Sequence, residues 1–291
     1  MVAGITDAQG KPLANAFAPQ FPNANVSNLS LAVVPIEQLS NDGNDTVIGH
    51  GTGFIKKVGG MYFLVTARHV LDGRNPFTGE LLSQNGYEPQ RFAIQPAVEV
   101  PFATDIWTRG RVILDASDPG VGPWYGDPAF DQLRTDIAVW PLTALSGVPM
   151  RHVGETTPKE ASMMMHPGLE CMVIGFPIGP DKGMEYPVWR RGVLASEPLI
   201  PWDKKPIFLL DCATSPGFSG SPVFRHHVGP LPYKEADGSI TVDAQAVITT
   251  SLVGVYAGRL QHPHFGGEIP YVFYENRIPI IISSAMMGKP V

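Results

Sequence analysis

Charge is scarce in this chain. Only 16% of its 291 residues are Asp, Glu, Lys or Arg, and the formal net charge is −6. Lys and Arg form no run of five or more, so the basic footprint of a nucleic-acid-binding surface is missing. No stretch of eighteen apolar residues occurs, so no membrane span is expected. The start, Met1-Val2-Ala3-Gly4-Ile5-Thr6-Asp7, has no charged segment followed by an apolar one; no signal peptide is expected, and a cytoplasmic home is. Cys171 and Cys212 are the two cysteines, too few for a secreted disulfide framework. Both read as buried small hydrophobes, with a disulfide between them as the alternative.

Glycine (31) and proline (29) are plentiful instead. That balance suits many short strands joined by turns, and the length suffices for one large core or two small ones. Residues up to about Asn28 are rich in Ala, Asn and Pro without periodicity and read as an arm. Strand signals follow at Leu31-Ala32-Val33-Val34, Val47-Ile48, Gly53-Phe54-Ile55 and from Met61 to Thr66, with Gly59-Gly60 as a hairpin turn. Long loops are expected around 72–89 and 115–134, and an insertion around 225–243. The segment 246–256 reads as a hairpin or one long bent strand. For 278–287 the reading is a last strand or a terminal helix, with Pro279 opposing helix before it.

The run Pro216-Gly217-Phe218-Ser219-Gly220-Ser221-Pro222 carries the most information, because it describes a tight glycine-flanked turn presenting one hydroxyl. A serine alkoxide is inaccessible near neutral pH, so a nucleophilic Ser needs an adjacent base, and the base an orienting partner. His69 follows the apolar run Tyr62 to Thr66, and Asp136 immediately precedes the apolar Ile137-Ala138-Val139. Asp127 and Asp131 are nearby competitors for the acidic role. The remaining histidines show no zinc spacing and read as surface or structural, and the acidic residues of 115–134 lack calcium-loop spacing. No metal or organic cofactor is called for. The order His, Asp, Ser differs from that of α/β-hydrolases, where Ser comes first, which argues against an esterase of that type.

At these residues the chain resembles the chymotrypsin-like serine peptidases, and more narrowly the bacterial Do-like (HtrA-type) branch. The likeness rests on Gly51-Thr52-Gly53-Phe54-Ile55 with Tyr62 to His69, on Thr135 to Trp140, on Val173 to Gly179 with Arg191 to Ser196, and on Asp211 to Gly220. It covers roughly residues 31–258 and leaves no PDZ-sized segment after them. The resemblance implies an all-β fold of two six-stranded antiparallel barrels with the active site in the cleft between them. Residues 1–28 would form the arm, 29–145 the first barrel with His and Asp, and 146–291 the second barrel with the nucleophile.

By the same likeness His69, Asp136 and Ser219 form the triad, and the amides of Gly217 and Ser219 the oxyanion hole. Ala213 falls at the base of the pocket for the residue preceding the scissile bond (P1), with Thr214 next to it as a substrate-binding residue, and Tyr256, Ala257 and Gly258 form an edge that pairs with an extended substrate. Three departures matter. Phe218 stands where activated animal relatives carry an Asp, so activation by a new N-terminus is not expected. Ala213 offers no carboxylate to a Lys or Arg, which favours small or apolar P1 residues. Ala257 has no hydroxyl to steady the acid. The expected function is a serine endopeptidase acting on polypeptides. The alternative is an effector or binding module on this fold, silent or gated by a regulatory protein partner.

Overall fold

The computed structural model describes residues 26–288, apart from 43, 84–85, 100–106, 119–122, 178–184, 246–247 and 263–266. The expected arm, residues 1–28, lies almost wholly outside the described residues. So do Ala246 and Val247, and Ile178 and Gly179 of the Val173 to Gly179 segment.

The first half opens with a short helix, α1 (Asn28–Ala32), capped by the Ser27 side chain. Leu31 and Ala32, expected to be strand, form its last turn, because a short buried apolar run fits either state. Strands β1 (Val33–Leu39), β2 (Val47–Val58) and β3 (Met61–Thr66) then run as an antiparallel meander. Gly59 (φ +57°) and Gly60 (φ +83°) make the two-residue turn between β2 and β3, both in the left-handed region that such hairpins require. Pro35 sits in β1 just before Ile36, where the second neighbour begins to pair, so its missing N–H costs no ladder bond there.

Helix α2 (Arg68–Asp72) follows β3 directly and ends at Gly73, φ +69°. Strands β4 (Arg91–Ile94), β5 (Ala97–Glu99), β6 (Trp107–Arg109), β7 (Val112–Asp115) and β8 (Tyr125–Gly126) come next, then α3 (Phe130–Leu133) and β9 (Ala138–Pro141). Seven strands form one curled sheet in the order β7-β4-β1-β2-β3-β9-β8, while β5 and β6 pair separately. This is a half-barrel; its ladder does not close on itself among the described residues.

The second half closes fully. After α4 (Pro158–Ala161) come β10 (Glu170–Gly175), β11 (Val188–Leu194), β12 (Ile207–Asp211) and β13 (Pro222–Val228). The hairpin β14 (Leu231–Lys234) and β15 (Ile240–Asp243) projects from it, and β16 (Ile248–His262) and β17 (Gly267–Tyr274) complete a barrel ordered β10-β11-β12-β17-β16-β13. Strand β16 is one long strand with a bulge between Tyr256 and Gly258. The chain ends in α5 (Arg277–Met286), which contains Pro279 in its first turn, where the missing N–H would have had no helical partner. The result is an all-β, chymotrypsin-like fold of two curled units.

One apolar core joins the two halves. Phe54, Val65 and Val139 of the first sheet pack with Ile174, Leu209, Val255 and Phe273 of the barrel, and Ile278, Ile281 and Ile282 of α5 close it. Burial of each such side chain contributes about 1.5–3 kcal/mol. The walls of the cleft are therefore fixed to a shared interior rather than to separate ones.

Candidate active site

Each candidate side chain stands at the end of an element from that core. His69 lies in the first turn of α2, Asp136 just before β9, and Ser219 in the turn between β12 and β13. Thr66 pairs with Ala138 in the β3–β9 ladder, so the ends of these strands place His69 beside Asp136 although the two are 67 positions apart. Asp136 is fully buried and accepts two bonds from one residue: the His69 amide at 2.8 Å and His69 Nδ1 at 2.6 Å. Burial alone would push the imidazole pKa down. The charge and hydrogen bond of Asp136, with a smaller contribution from Asp72, outweigh it and hold the value above the usual 6.5.

Asp127 and Asp131 are elsewhere. Asp127 is buried against Arg277, and Asp131 is exposed in α3.

Residues 215–218 form a β-turn closed by Phe218 N–H donating to the Ser215 carbonyl at 3.3 Å. Pro216 occupies its second position and Gly217, φ +97°, its third, the pairing a type II turn demands. A Cβ on Gly217 would collide with the carbonyl oxygens of Phe176 and Pro177. Gly220, φ +87°, is packed as tightly against Thr52 and Thr66. Phe218 is wholly buried in the barrel core, which anchors the turn from below.

Amides around the turn fall into two groups. Those of Gly220 and Ser221 donate to the carbonyls of Tyr256 (2.8 Å) and Phe218 (2.9 Å). Those of Gly217 and Ser219 donate to no acceptor among the described residues. Two unspent donors flanking one hydroxyl can receive an anion.

Ser219 is half-buried, and its Oγ lies 3.5 Å from the Ala257 carbonyl, too long for more than a weak bond. Among the described residues no hydrogen bond joins it to His69, although the two line the same clefts. Catalytic contacts in unliganded enzymes are often long and tighten only with substrate.

Tyr256, Ala257 and Gly258 line one of those clefts with Ser219. Ala213 is exposed and lines neither of the two, and Thr214 is turned toward Tyr256, whose hydroxyl lies 2.8 Å from Thr214 Oγ1. Tyr256 itself is 2% exposed.

Two contributors were not singled out from the sequence. Thr52 is buried; its hydroxyl donates to the Gly217 carbonyl at 2.7 Å and accepts from Phe176 N–H at 2.9 Å, and its amide donates to the Ser219 carbonyl. Its place between Gly51 and Gly53 was the available signal. Tyr271 lines the cleft beside His69 and Ser219; burial and the nearby Asp136 charge push its phenol pKa up. No sequence pattern distinguished it from an ordinary strand aromatic. Cys171 and Cys212 are both free thiols. Among the described residues no group of three or more His, Cys, Asp or Glu could hold a metal ion, and no helix is long and apolar enough to cross a membrane.

The model of the trypsin-like peptidase domain family matches residues 51–229. The chain belongs to that family. The match runs from the start of the Gly51-Thr52-Gly53 segment through the Ser219 turn, so His69, Asp136 and Ser219 all fall within it, while the 256–258 edge of the cleft lies beyond it. No curated protein matches. Among solved structures, an HtrA-type protease, AlgW, in a variant with a tripeptide, is 15% identical with a TM-score of 0.46. That alignment covers 90% of this chain and 62% of the other, so the chain spans less than two thirds of that protein's length. The inactive form of a serine-to-alanine mutant of Rv3671c from M. tuberculosis H37Rv is 17% identical with a TM-score of 0.45, over 94% of this chain and 96% of that one.

Proposed function

We propose that this trypsin-like domain is a serine endopeptidase in which the half from 29 to 145 supplies base and orienting acid and the half from 146 to 291 supplies nucleophile and oxyanion hole. The observation that carries this reading is the double hold of buried Asp136 on His69. With Nδ1–H donated to a carboxylate, Nε2 is left as the basic nitrogen of the neutral ring.

In the proposed reaction His69 Nε2 takes the Ser219 Oγ proton as Oγ attacks the scissile carbonyl carbon. The oxygen that gains charge is received by the Gly217 and Ser219 amides. His69 then gives its proton to the leaving amine, the C–N bond breaks, and an acyl-Ser219 ester remains. Water attacks that ester, with His69 again taking the proton, and the acid is released with Ser219 restored. No metal or cofactor enters. Releasing Oγ from a 3.5 Å contact costs little. The preference for small or apolar P1 residues rests on the family likeness that puts Ala213, which has no carboxylate, at the pocket base; Ala213 itself is exposed and lines neither of the two clefts.

A second reading draws on the same contact: Ser219 faces the Ala257 carbonyl rather than His69, which suits a site held at rest until a regulatory protein partner binds. A fluorophosphonate probe separates the two. Labelling of the purified parent and not of Ser219→Ala, with loss of cleavage of an unstructured polypeptide in that variant, supports the constitutive peptidase. Labelling only after a partner is added supports gating. A Ser219→Ala protein that cleaves as well as the parent sinks the assignment.

A further inference from the structure

Helix α2 carries the proposed base, yet little in its own sequence keeps it in place. It has five residues, and no side chain caps its first turn. A helix of that length is not held by its own hydrogen bonds. Val70 and Leu71 are buried in the core of the first half, and the His69 amide is spent on Asp136. Those contacts hold the turn from the core and from the acid. The side chain directly before His69 adds a third hold.

Arg68 donates from Nε to Asp72 Oδ2 at 2.9 Å, one turn further along α2. Its guanidinium also meets two rings of the segment 115–134. Cζ lies 3.8 Å from the Phe130 ring centre and 5.4 Å from that of Trp124. Nη1 is buried with no hydrogen-bond partner among the described residues, so that end of the fork rests on the rings. The fit is close. A Cβ on Gly126 would stand 2.9 Å from Nη1, with Arg68 Cζ and a Trp124 ring carbon next at 3.7 and 3.8 Å.

The Phe130 ring takes a second guanidinium, Arg134, whose Cζ lies 5.4 Å from its centre. Arg134 closes α3 at φ +51°, a left-handed conformation that few residues other than glycine adopt. From it the chain runs through Thr135 to Asp136. One ring therefore receives the side chain just before the base and the side chain two before the acid. No residue of 115–134 lines either cleft beside Ser219. Its aromatic residues meet α2 instead.

We propose that Arg68 is a positioning residue for this reaction: stacked on Phe130 and Trp124, it holds α2 so that the His69 imidazole stays aimed between Asp136 and Ser219. The inference rests on the peptidase reading. Lysine would keep a charge for Asp72 but has no plane to stack, so charge alone does not replace the guanidinium.

Two variants test this without touching the triad. Arg68→Lys removes the planar fork and keeps the charge. Gly126→Ala keeps Arg68 and displaces its guanidinium with one methyl group. Both are compared with the parent on one quenched peptide, with sites counted by end-point labelling with the fluorophosphonate probe, so that a smaller folded fraction does not register as slower chemistry. The expected result is a fall in kcat per labelled site of roughly tenfold in both, with KM changed by less than about twofold. Parental kcat per labelled site in either variant, or a rise in KM alone, overturns the inference and leaves the peptidase reading standing. If the parent neither labels nor cleaves, the peptidase reading falls, and the proton between His69 Nδ1 and Asp136 still reports the hold on the ring. Its low-field proton resonance should be sharp in the parent and broadened or displaced in both variants. A resonance absent from the parent, or unchanged in the variants, overturns the inference.

Discussion

The Thr52 hydroxyl pins the Gly217 carbonyl at 2.7 Å, joining the first sheet to the Ser219 turn across 165 positions of sequence. Thr66 continues the chain by donating to the Thr52 carbonyl at 2.7 Å. With its carbonyl tied back in this way, the peptide after Gly217 has a fixed orientation, and so does the neighbouring pair of unspent amides.

Thr52→Val keeps the shape of the side chain and removes both of its hydroxyl bonds. The Gly217 carbonyl and the Phe176 amide are then left buried and unpaired, at a cost of about 1–3 kcal/mol each if nothing replaces the bond. The expected outcome is a lower urea midpoint together with a fall in kcat that exceeds any rise in KM. A variant with parental kcat would show that the tie does not position the turn.

On the proposed reaction the pH dependence of cleavage should follow His69. Its pKa is raised in the folded protein, burial being outweighed by Asp136, and the base must be neutral to act. The acid limb of kcat/KM is therefore expected above the ordinary 6.5. The same shift favours the protonated folded form, so this group's stabilisation is complete below 6.5 and is lost as pH rises through the raised value. Asp136→Asn removes the opposing charge, so burial should then dominate and move the limb downward, with a loss of about 10⁴ in kcat. The measurement is a kcat/KM profile for both proteins. A limb that stays in place would detach Asp136 from the chemistry.

Gly217→Ala tests the turn itself. The added methyl meets the Phe176 and Pro177 carbonyls at a φ of +97°, so the turn must shift and carry its amide away. A loss of about 10²–10³ in turnover is expected, the usual effect of removing one oxyanion donor. An inactive variant that still takes the fluorophosphonate probe at the parental rate would contradict the role given to that amide.

The form of the Ser219 turn was legible because it is set locally. Pro216 and Gly217 in sequence dictate a type II turn wherever it lies, and the turn observed has that form. The Gly59-Gly60 hairpin was legible for the same reason. What could not be read depends on distant partners. An apolar run at Leu31-Ala32 gives no period long enough to separate helix from strand, and α1 took it. The open ladder of the first sheet has no local signature, and for Thr52 the flanking Gly51 and Gly53 mark a tight approach without naming the distant carbonyl and amide it binds. Asp136 was set apart from Asp127 and Asp131 by the apolar run that follows it; that Asp127 is instead taken up by Arg277, 150 positions away, could not be read.

That pairing supplies the last prediction. Arg277 grips Asp127 with two bonds, Nε to Oδ2 at 2.7 Å and Nη2 to Oδ1 at 2.6 Å, and Ala129 N–H adds a third at 2.9 Å. Burial would raise the Asp127 pKa, but these bonds and the guanidinium charge hold it below the usual 3.8. Arg277→Met leaves a carboxylate fully buried without its cation, which typically costs about 3–5 kcal/mol. It also loosens the first turn of α5, whose Ile278, Ile281 and Ile282 close the core between the two halves. A depressed Asp pKa stabilises the fold above 3.8 and ceases to do so as pH falls through the folded value. The parent should therefore lose more stability than Arg277→Met between pH 7 and pH 3, and the two unfolding midpoints should converge in acid. Midpoints that stay equally far apart at both pH values would mean that Arg277 acts by packing alone, not by its charge on Asp127.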